Sequence, residues 1–124
     1  MLATFQTTVT INQTVSGQSS STVENWVLLA ATAMLGDLPS QFDHVMLLLP
    51  PGTNFHGAAA YGYINYWRTV YQDNYYWMLM VQMHEFGHNL DLAHSGENGN
   101  PYGDWTGKFA SLKTTSCPSG SSFI

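Results

Sequence analysis

The alternation of apolar and polar residues predicts a strand and then a helix in the first third of the chain. In "TFQTTVTINQTV", β-branched and aromatic side chains recur at every second position from Phe5 to Ile11, as in a strand with one buried face. After the polar stretch "SGQSSS", Ser21-Thr22-Val23-Glu24 has the spacing of a capping box, in which serine and glutamate satisfy N–H groups at a helix start. Apolar residues then follow at helical spacing to Leu35, and Gly36 is the predicted stop.

The rest of the pattern predicts two further extended segments and a second helix. The continuous apolar run "DHVMLLLPPG" is typical of a strand that is buried on both faces. A two-residue period through "AAAYGYINYWRTVY" favours another extended segment. Asp73 or Asn74 is the predicted cap of a helix that runs from about Tyr75 to about Leu90. The order strand, helix, strand, strand, helix predicts a mixed α/β (α+β) layer structure.

Composition narrows the class of protein. The 124 residues suffice for one domain with a core, and only 9% of them are charged. Three basic residues in a chain of net charge -5 form no cluster, which argues against nucleic acid and anionic membrane surfaces as partners. The longest apolar runs are too short to span a bilayer, and the N-terminus lacks the pattern of a secretory signal. A single cysteine excludes an intrachain disulfide.

The stretch "QMHEFGHNLDLAHSG" carries the candidate chemistry, because it holds three of the five histidines of the chain. In a helix, His84 and His88 project about 40° apart on one face and lie roughly 6 Å apart along the axis. Both imidazoles can therefore bind one ion. Glu85 points to one side of that ion, where it can hold a water molecule without being a ligand.

A third ligand is needed, since a catalytic zinc keeps three protein ligands and one open position. His94 is the natural candidate, but in a continued helix it would lie about 600° round from His88 and about 9 Å along the axis. The helix must therefore end near Leu90, and the chain must turn back. Asp91 stands at this turn, and aspartate is among the residues that best tolerate a left-handed backbone after glycine.

The same residues resemble a known family. "HEFGHNLDLAH" is similar to the extended zinc motif HExxHxxGxxH of metzincin peptidases, and "QMHEFGHNLDLAHSGENGNPYGD" resembles the gametolysin-type branch, known from algal cell-wall lytic enzymes. The preceding "AYGYINYWRTVYQDNYYW" is similar to the strand and helix start that lead into the active-site helix of that family. The resemblance covers about residues 57–106, whereas residues 1–56 match only in the order of their elements.

The resemblance implies a zincin-like upper subdomain, with a mixed twisted sheet, a backing helix and an active-site helix. It implies a zinc-dependent endopeptidase in which His84, His88 and His94 bind Zn²⁺ and Glu85 is the catalytic residue that takes and returns a proton. The implied substrates are extracellular or cell-wall glycoproteins, and the implied location is extracellular, either secreted or in the cell wall. The oligomeric state is left open.

Two features depart from the family pattern. Asp91 replaces the usual glycine, which the tolerance of aspartate for left-handed backbone explains. Metzincins also have a methionine-containing turn beneath the metal, but no methionine follows Met83 in this chain. We therefore expect a metzincin-like catalytic domain over residues 1–107 and a Ser/Thr/Gly-rich tail over residues 108–124, where the chain is truncated or continues into unrelated sequence.

Other interpretations remain open at this stage. The chain is alternatively a catalytically inactive or truncated homologue that serves as a binding or structural module, or a carbohydrate-binding domain that uses Tyr63 and Trp67. Several side chains are expected to have ordinary roles: surface or hydrogen-bonded histidines, a free tail cysteine and residues of a turn. These are His44, His56, Cys117, Tyr102 and Asp104.

Overall fold

Three helices and a three-stranded sheet make up the regular structure of residues 4–94, the part of the chain that the computed structural model describes. The elements in chain order are α1 (Ser20–Leu35), α2 (Leu38–Gln41), β1 (Val45–Leu49), β2 (Ala60–Gly62), β3 (Arg68–Gln72) and α3 (Leu79–Asn89).

The sheet has the strand order β1-β3-β2 and is mixed. β1 runs parallel to β3, with Val45 opposite Arg68 and Leu49 opposite Gln72. β2 runs antiparallel to β3, and Gly62 lies opposite Thr69. β3 is therefore the central strand and β2 is an edge strand. A mixed sheet with helices confirms the predicted α+β class.

The two long helices cover opposite faces of the sheet. α1 packs against β1 through Val23, Leu47 and Leu49, in a core that also includes Val70. The next residue along β3, Tyr71, lies in a second core with Val81 of α3. Because successive side chains of a strand point to opposite faces, this alternation places α1 on one side of the sheet and α3 on the other.

Strand β1 is confirmed, but the prediction that both its faces are buried is wrong. Leu47 and Leu49 are buried, whereas Met46 and Leu48 are 41% and 44% exposed. The reason is the position of α3, which packs on β2 and β3. The second face of β1 is therefore partly exposed to solvent. A continuous apolar run in the sequence does not show whether one face of a strand or both are covered.

The predicted strand around Phe5 is also wrong. Residues 4–14 contain no strand, and Phe5 is 59% exposed. Alternating side chains favour a strand only where a neighbouring strand accepts its hydrogen bonds. Among the described residues, the sheet provides no such partner for this segment.

Helix α1 begins two residues earlier than the capping-box pattern indicates. Ser19 is the N-cap, and its side chain accepts a hydrogen bond from the N–H of Thr22 at 3.3 Å. Glu24 is consequently too far into the helix to close a capping box, and that prediction is wrong. The predicted stop is confirmed, because Gly36 ends α1 with φ at +88°.

The extended segment predicted before α3 is a hairpin, in which residues 63–67 connect β2 to β3. Asn65 has a left-handed backbone there, with φ at +50°. α3 begins at Leu79 with Met78 as its N-cap, so the predicted start near Tyr75 is wrong. Residues 73–77 form turns instead, and the backbone N–H of Met78 donates a hydrogen bond to the carbonyl of Tyr75 at 3.1 Å. The predicted caps Asp73 and Asn74 therefore do not cap this helix.

A buried ion pair ties α1 to the hairpin. Glu24 is 3% exposed, and its carboxylate accepts a hydrogen bond from Arg68 Nε at 2.6 Å. The hydroxyls of Tyr61 and Tyr63 donate to the same carboxylate at 2.8 Å and 2.9 Å. Burial, and then the neighbouring Glu24, raise the pKa of Tyr61, so its hydroxyl keeps the proton that it donates.

The end of α3 is a Schellman motif, in which the chain leaves the helix through one left-handed residue. The N–H of Leu92 donates to the carbonyl of Gly87 at 3.0 Å, and the N–H of Asp91 donates to that of His88 at 3.0 Å. Asp91 has φ at +66°, which confirms the left-handed turn predicted at this position. The chain reverses immediately after α3.

We predict that Glu24→Ala destabilises the fold by about 3 kcal/mol, because it leaves the Arg68 guanidinium without its buried counter-ion. The free energy of unfolding, measured by urea denaturation, tests this. Asp43→Ala is the control, since Asp43 is exposed. Equal losses in the two variants would contradict the assigned role of the ion pair.

We predict opposite effects for two substitutions at Asp91. Asp91→Gly removes the strain of a side chain in left-handed backbone and stabilises the protein by about 0.5–1 kcal/mol. Asp91→Val places a β-branched residue there and costs about 1–2 kcal/mol. Thermal unfolding of the two variants beside the wild type measures both. A valine variant as stable as the glycine variant would show that the turn does not require this conformation.

Candidate metal centre

Three histidine side chains converge at the C-terminal end of α3. The ring centroids of His84 and His88 lie 4.8 Å apart, those of His88 and His94 also lie 4.8 Å apart, and those of His84 and His94 lie 5.1 Å apart. Each histidine offers one ring nitrogen such that all three nitrogens lie within 4.8 Å of one another. His84 and His88 come from consecutive turns of α3, whereas His94 arrives from the segment that the left-handed Asp91 turns back.

This donor set fits a metal ion. Two nitrogens bound to one zinc at about 2.1 Å lie roughly 3.4 Å apart in tetrahedral geometry, so the rings need to close by little more than about 1 Å. Three neutral imidazoles from one short segment are a common ligand set for zinc. The three histidines could therefore hold a divalent transition metal.

A backbone carbonyl selects the tautomer of His88. Its Nδ1 lies 2.7 Å from the carbonyl oxygen of Leu92, which can only accept a hydrogen bond. Nδ1 therefore carries the proton, and Nε2 is left as the nitrogen with a lone pair. Because Leu92 belongs to the same reversal that carries His94, one turn both brings in the third histidine and orients the second.

Burial favours the neutral, metal-binding form of His84 and His94. His84 is 2% exposed, and burial together with the neighbouring His88 and His94 lowers its pKa to about 4. Burial, followed by the proximity of His88, also lowers the pKa of His94. These imidazoles do not have to lose a proton at neutral pH before they can act as ligands.

Glu85 is a buried carboxyl group beside the histidines. It is 1% exposed, and burial raises its pKa to about 8, while a hydrogen bond from the backbone of Gly62 acts in the opposite direction. A carboxyl group with a pKa near neutrality can both take up and release a proton under physiological conditions. The environment of Glu85 is therefore suited to acid–base work.

The edge strand β2 reaches α3 very closely at Gly62. A Cβ atom there would lie 3.1 Å from the carbonyl carbon of Glu85 and 3.2 Å from its Cα, and closer still to its carbonyl oxygen. The absence of a side chain at Gly62 thus allows the backbones of β2 and α3 to meet. This contact sets the distance between the edge strand and the acidic residue of the site.

A cavity of about 260 Å³ opens between β2 and the end of α3. Its lining includes the polar side chains of Glu85, His88 and His94 and the apolar side chain of Ile64. Ile64 is 58% exposed. The histidine cluster and the edge strand therefore face a common space that a ligand can enter.

The remaining residues singled out in the sequence lie elsewhere. His44 packs edge-on against Phe86 and has its Nε2 3.2 Å from the hydroxyl of Thr69, and His56 lies in an exposed loop. Neither joins the histidine cluster, as expected. Tyr102, Asp104 and Cys117 lie outside the described residues.

Sequence reasoning missed the roles of Gly62, Asn89 and the pair formed by Glu24 and Arg68. Two of these left a signal: a glycine inside a strand pattern commonly marks a close backbone approach, and an asparagine on a largely buried helix requires hydrogen-bond partners. The ion pair left none, because its members stand 44 positions apart.

Within the described residues, no helix has the length and apolar character that crossing a membrane would require. No curated protein and no solved protein structure shows a significant match to the chain. The sequence model of the family described as gametolysin peptidase M11 matches residues 3–122, which is nearly the whole chain and extends beyond the boundary predicted at residue 107. With that match and a histidine cluster of this geometry, the chain belongs to the gametolysin peptidase family and is related to metallopeptidases.

Proposed function

We propose that this protein is a zinc-dependent endopeptidase that hydrolyses peptide bonds in extracellular or cell-wall glycoproteins. The observation that carries the proposal is the convergence of His84, His88 and His94 within 4.8 Å, beside a buried glutamate and an edge strand. The proposed substrate class and the extracellular location come from the family to which the chain belongs, whose matched region is residues 3–122.

The three histidines would hold the ion, with His88 using Nε2 because its Nδ1 is bonded to Leu92. A zinc ion at such a site acts as a Lewis acid on a peptide carbonyl and makes a water molecule acidic enough to be a nucleophile near neutral pH.

Glu85 takes the proton of the attacking water and later delivers it to the leaving amine. Its position one residue after His84 places the carboxyl group beside the metal without making it a ligand. Burial raises the pKa of this carboxyl group, which helps it to hold the proton between the two transfers. The hydrogen bond from Gly62 holds the carboxyl group towards β2, along which the substrate lies.

The substrate binds as an extended peptide along β2. Because β2 is an edge of the sheet, one side of its backbone is available to pair with another chain. The apolar side chain of Ile64 lines the adjacent cavity, which favours an uncharged side chain in the substrate near the bond to be cut. The net charge of -5 gives the chain little attraction for anionic partners.

One other function is supported by a specific feature. Residues 84–124 contain no methionine, whereas the metzincin pattern has a methionine turn after the zinc motif, and this difference favours a homologue that binds metal without cleaving peptides. A carbohydrate platform at Tyr63 and Trp67 is less favoured, because the Arg68 guanidinium lies over both rings, at 4.7 Å and 5.2 Å from their centroids.

We predict that Glu85→Gln and His94→Ala separate catalysis from metal binding. The glutamine variant keeps one zinc per chain but hydrolyses a denatured protein substrate roughly 100-fold to 10,000-fold more slowly, because the residue that moves the proton is lost. The alanine variant loses both zinc and activity. Zinc per chain, measured by elemental analysis of the purified 124-residue protein, and substrate cleavage with and without a chelator test both expectations.

His56→Ala is the matched control, since it removes an exposed histidine outside the cluster and should change neither quantity. Zinc bound by the wild type without any cleavage would favour the non-catalytic homologue. Full zinc content in His94→Ala would exclude the proposed ligand set.

A further inference from the structure

Asn89, the last residue of α3, joins that helix to both arms of the hairpin. Its side chain is largely buried, at 9% exposure. Its Nδ2 donates to the carbonyl of Tyr63 at 2.8 Å and to the carbonyl of Arg68 at 3.0 Å. Tyr63 follows the end of β2, and Arg68 begins β3. A single amide group therefore bridges the two arms of the hairpin at its loop end and fastens that end to the helix.

The neighbouring residue receives a hydrogen bond from the same hairpin. The N–H of Asn65 donates to the carbonyl of His88 at 2.8 Å. Asn65 adopts its left-handed conformation at this point, with φ at +50°. We call the Asn89 amide, the Asn65 N–H and the carbonyls that they bind the hairpin clamp.

The hairpin clamp binds the backbone carbonyl of His88 through the N–H of Asn65, and the Schellman turn at the end of α3 binds the same carbonyl through the N–H of Asp91. The hydrogen bond from Asp91 is 3.0 Å long, and the ring of His88 donates to Leu92 at 2.7 Å. The same hairpin supplies Gly62, whose backbone holds the carboxyl group of Glu85. The hairpin thus contacts both the residue that would move protons and the segment that carries a metal ligand.

We propose that Asn89 is a positioning residue for His88, which fixes the metal site relative to the substrate strand β2. This inference rests on the proposed function. The carbonyls that Asn89 binds belong to the hairpin that ends β2, so its amide sets the spacing between that strand and the end of α3. Hydrogen bonds made directly to a metal-binding histidine typically change metal affinity about 10-fold to 100-fold when they are removed. Asn89 acts on His88 only through the hairpin, so we expect its effect at the lower end of that range.

The chemistry of the side chain supports a specific role. Two carbonyl oxygens face Nδ2, and an amide supplies two N–H donors in a fixed plane. Aspartate has the same shape but no donor, and leucine has a similar size and no polar atom. Loss of the amide leaves the Tyr63 and Arg68 carbonyls without this donor, so the hairpin is free to move away from α3.

A purely structural role for Asn89 would have a different signature. In that case Asn89→Leu would lower the stability of the fold, and its metal affinity would fall no further than in any other variant of equal stability. A positioning role instead changes the coordination geometry itself. The electronic spectrum of bound Co²⁺ reports ligand geometry directly and does not depend on catalytic activity.

The test compares Asn89→Leu with Val23→Ala in the full chain. Val23 is fully buried in the core on the opposite face of the sheet, so its truncation destabilises the fold without removing a hydrogen bond of the hairpin clamp. Urea denaturation of the metal-free proteins measures stability, competition with a chromophoric chelator measures zinc affinity, and Co²⁺ absorption measures geometry. Asn89→Leu should lose about 10-fold in zinc affinity and shift the Co²⁺ spectrum, while Val23→Ala keeps the wild-type affinity and spectrum.

Asn89→Gln serves as the conservative variant. It retains the amide on a side chain one methylene longer, so it should fold and lose zinc affinity several-fold, less than the leucine variant. If Asn89→Leu fails to fold, Asn89→Gln provides the test instead. A zinc affinity and a Co²⁺ spectrum equal to those of the wild type in Asn89→Gln would then overturn the inference. The inference also falls if Val23→Ala loses as much affinity as Asn89→Leu.

Failure of the inference differs visibly from failure of the proposed function. A wild-type chain that binds neither zinc nor Co²⁺ overturns both. A wild-type chain that binds zinc and cleaves protein, with Asn89 variants of unchanged affinity and spectrum, overturns the positioning role alone. A wild-type chain that binds zinc without cleaving, with reduced affinity in the Asn89 variants, leaves the positioning role standing and removes the peptidase.

Discussion

The reversal of the chain after α3 is the constraint on which the candidate metal centre depends. A helix can present two of its own histidines to one ion, but its third histidine in this sequence would point away and lie about 9 Å further along. The left-handed Asp91, with φ at +66°, ends the helix and brings His94 to within 4.8 Å of the other two. The same reversal places the Leu92 carbonyl against His88 and so selects its tautomer. One backbone conformation therefore brings the three histidines together and orients one of them.

Support for this site comes from the hairpin of β2 and β3, which is held from both faces of the sheet. On one face, the buried carboxylate of Glu24 binds Arg68 and two tyrosine hydroxyls. On the other, Asn89 and the His88 backbone bind the loop between the strands. Only 9% of the residues of this chain are charged, and a buried ion pair lowers the stability of a fold unless the remaining lone pairs of its carboxylate also accept hydrogen bonds. Here the two tyrosine hydroxyls donate to those lone pairs. These hydrogen bonds connect α1, through the hairpin, to the end of α3.

Helix-level predictions succeeded where the relevant forces are local. The stop at Gly36 and the left-handed turn at Asp91 are decided by backbone sterics within a few residues, and both are present. Two predictions that needed a particular partner elsewhere in the chain failed. The segment around Phe5 has the alternation of a strand, but it pairs with no strand of the described sheet. Glu24 does not cap α1, because its carboxylate binds the guanidinium of Arg68, 44 positions away. The start of α3 moved to Leu79 because turns, rather than a polar cap, precede it.

By itself the sequence determined the chemistry of the site: two histidines on one helical face, an adjacent glutamate, and an aspartate able to take the turn that returns a third histidine. These follow from spacing along the chain, since helix geometry is the same in every protein. Tertiary structure alone decided which face of β1 is covered, how closely β2 approaches Glu85 through Gly62, and which carbonyls Asn89 binds. Such features depend on how separate elements pack, and packing is a property of the whole set of long-range contacts that no local pattern encodes.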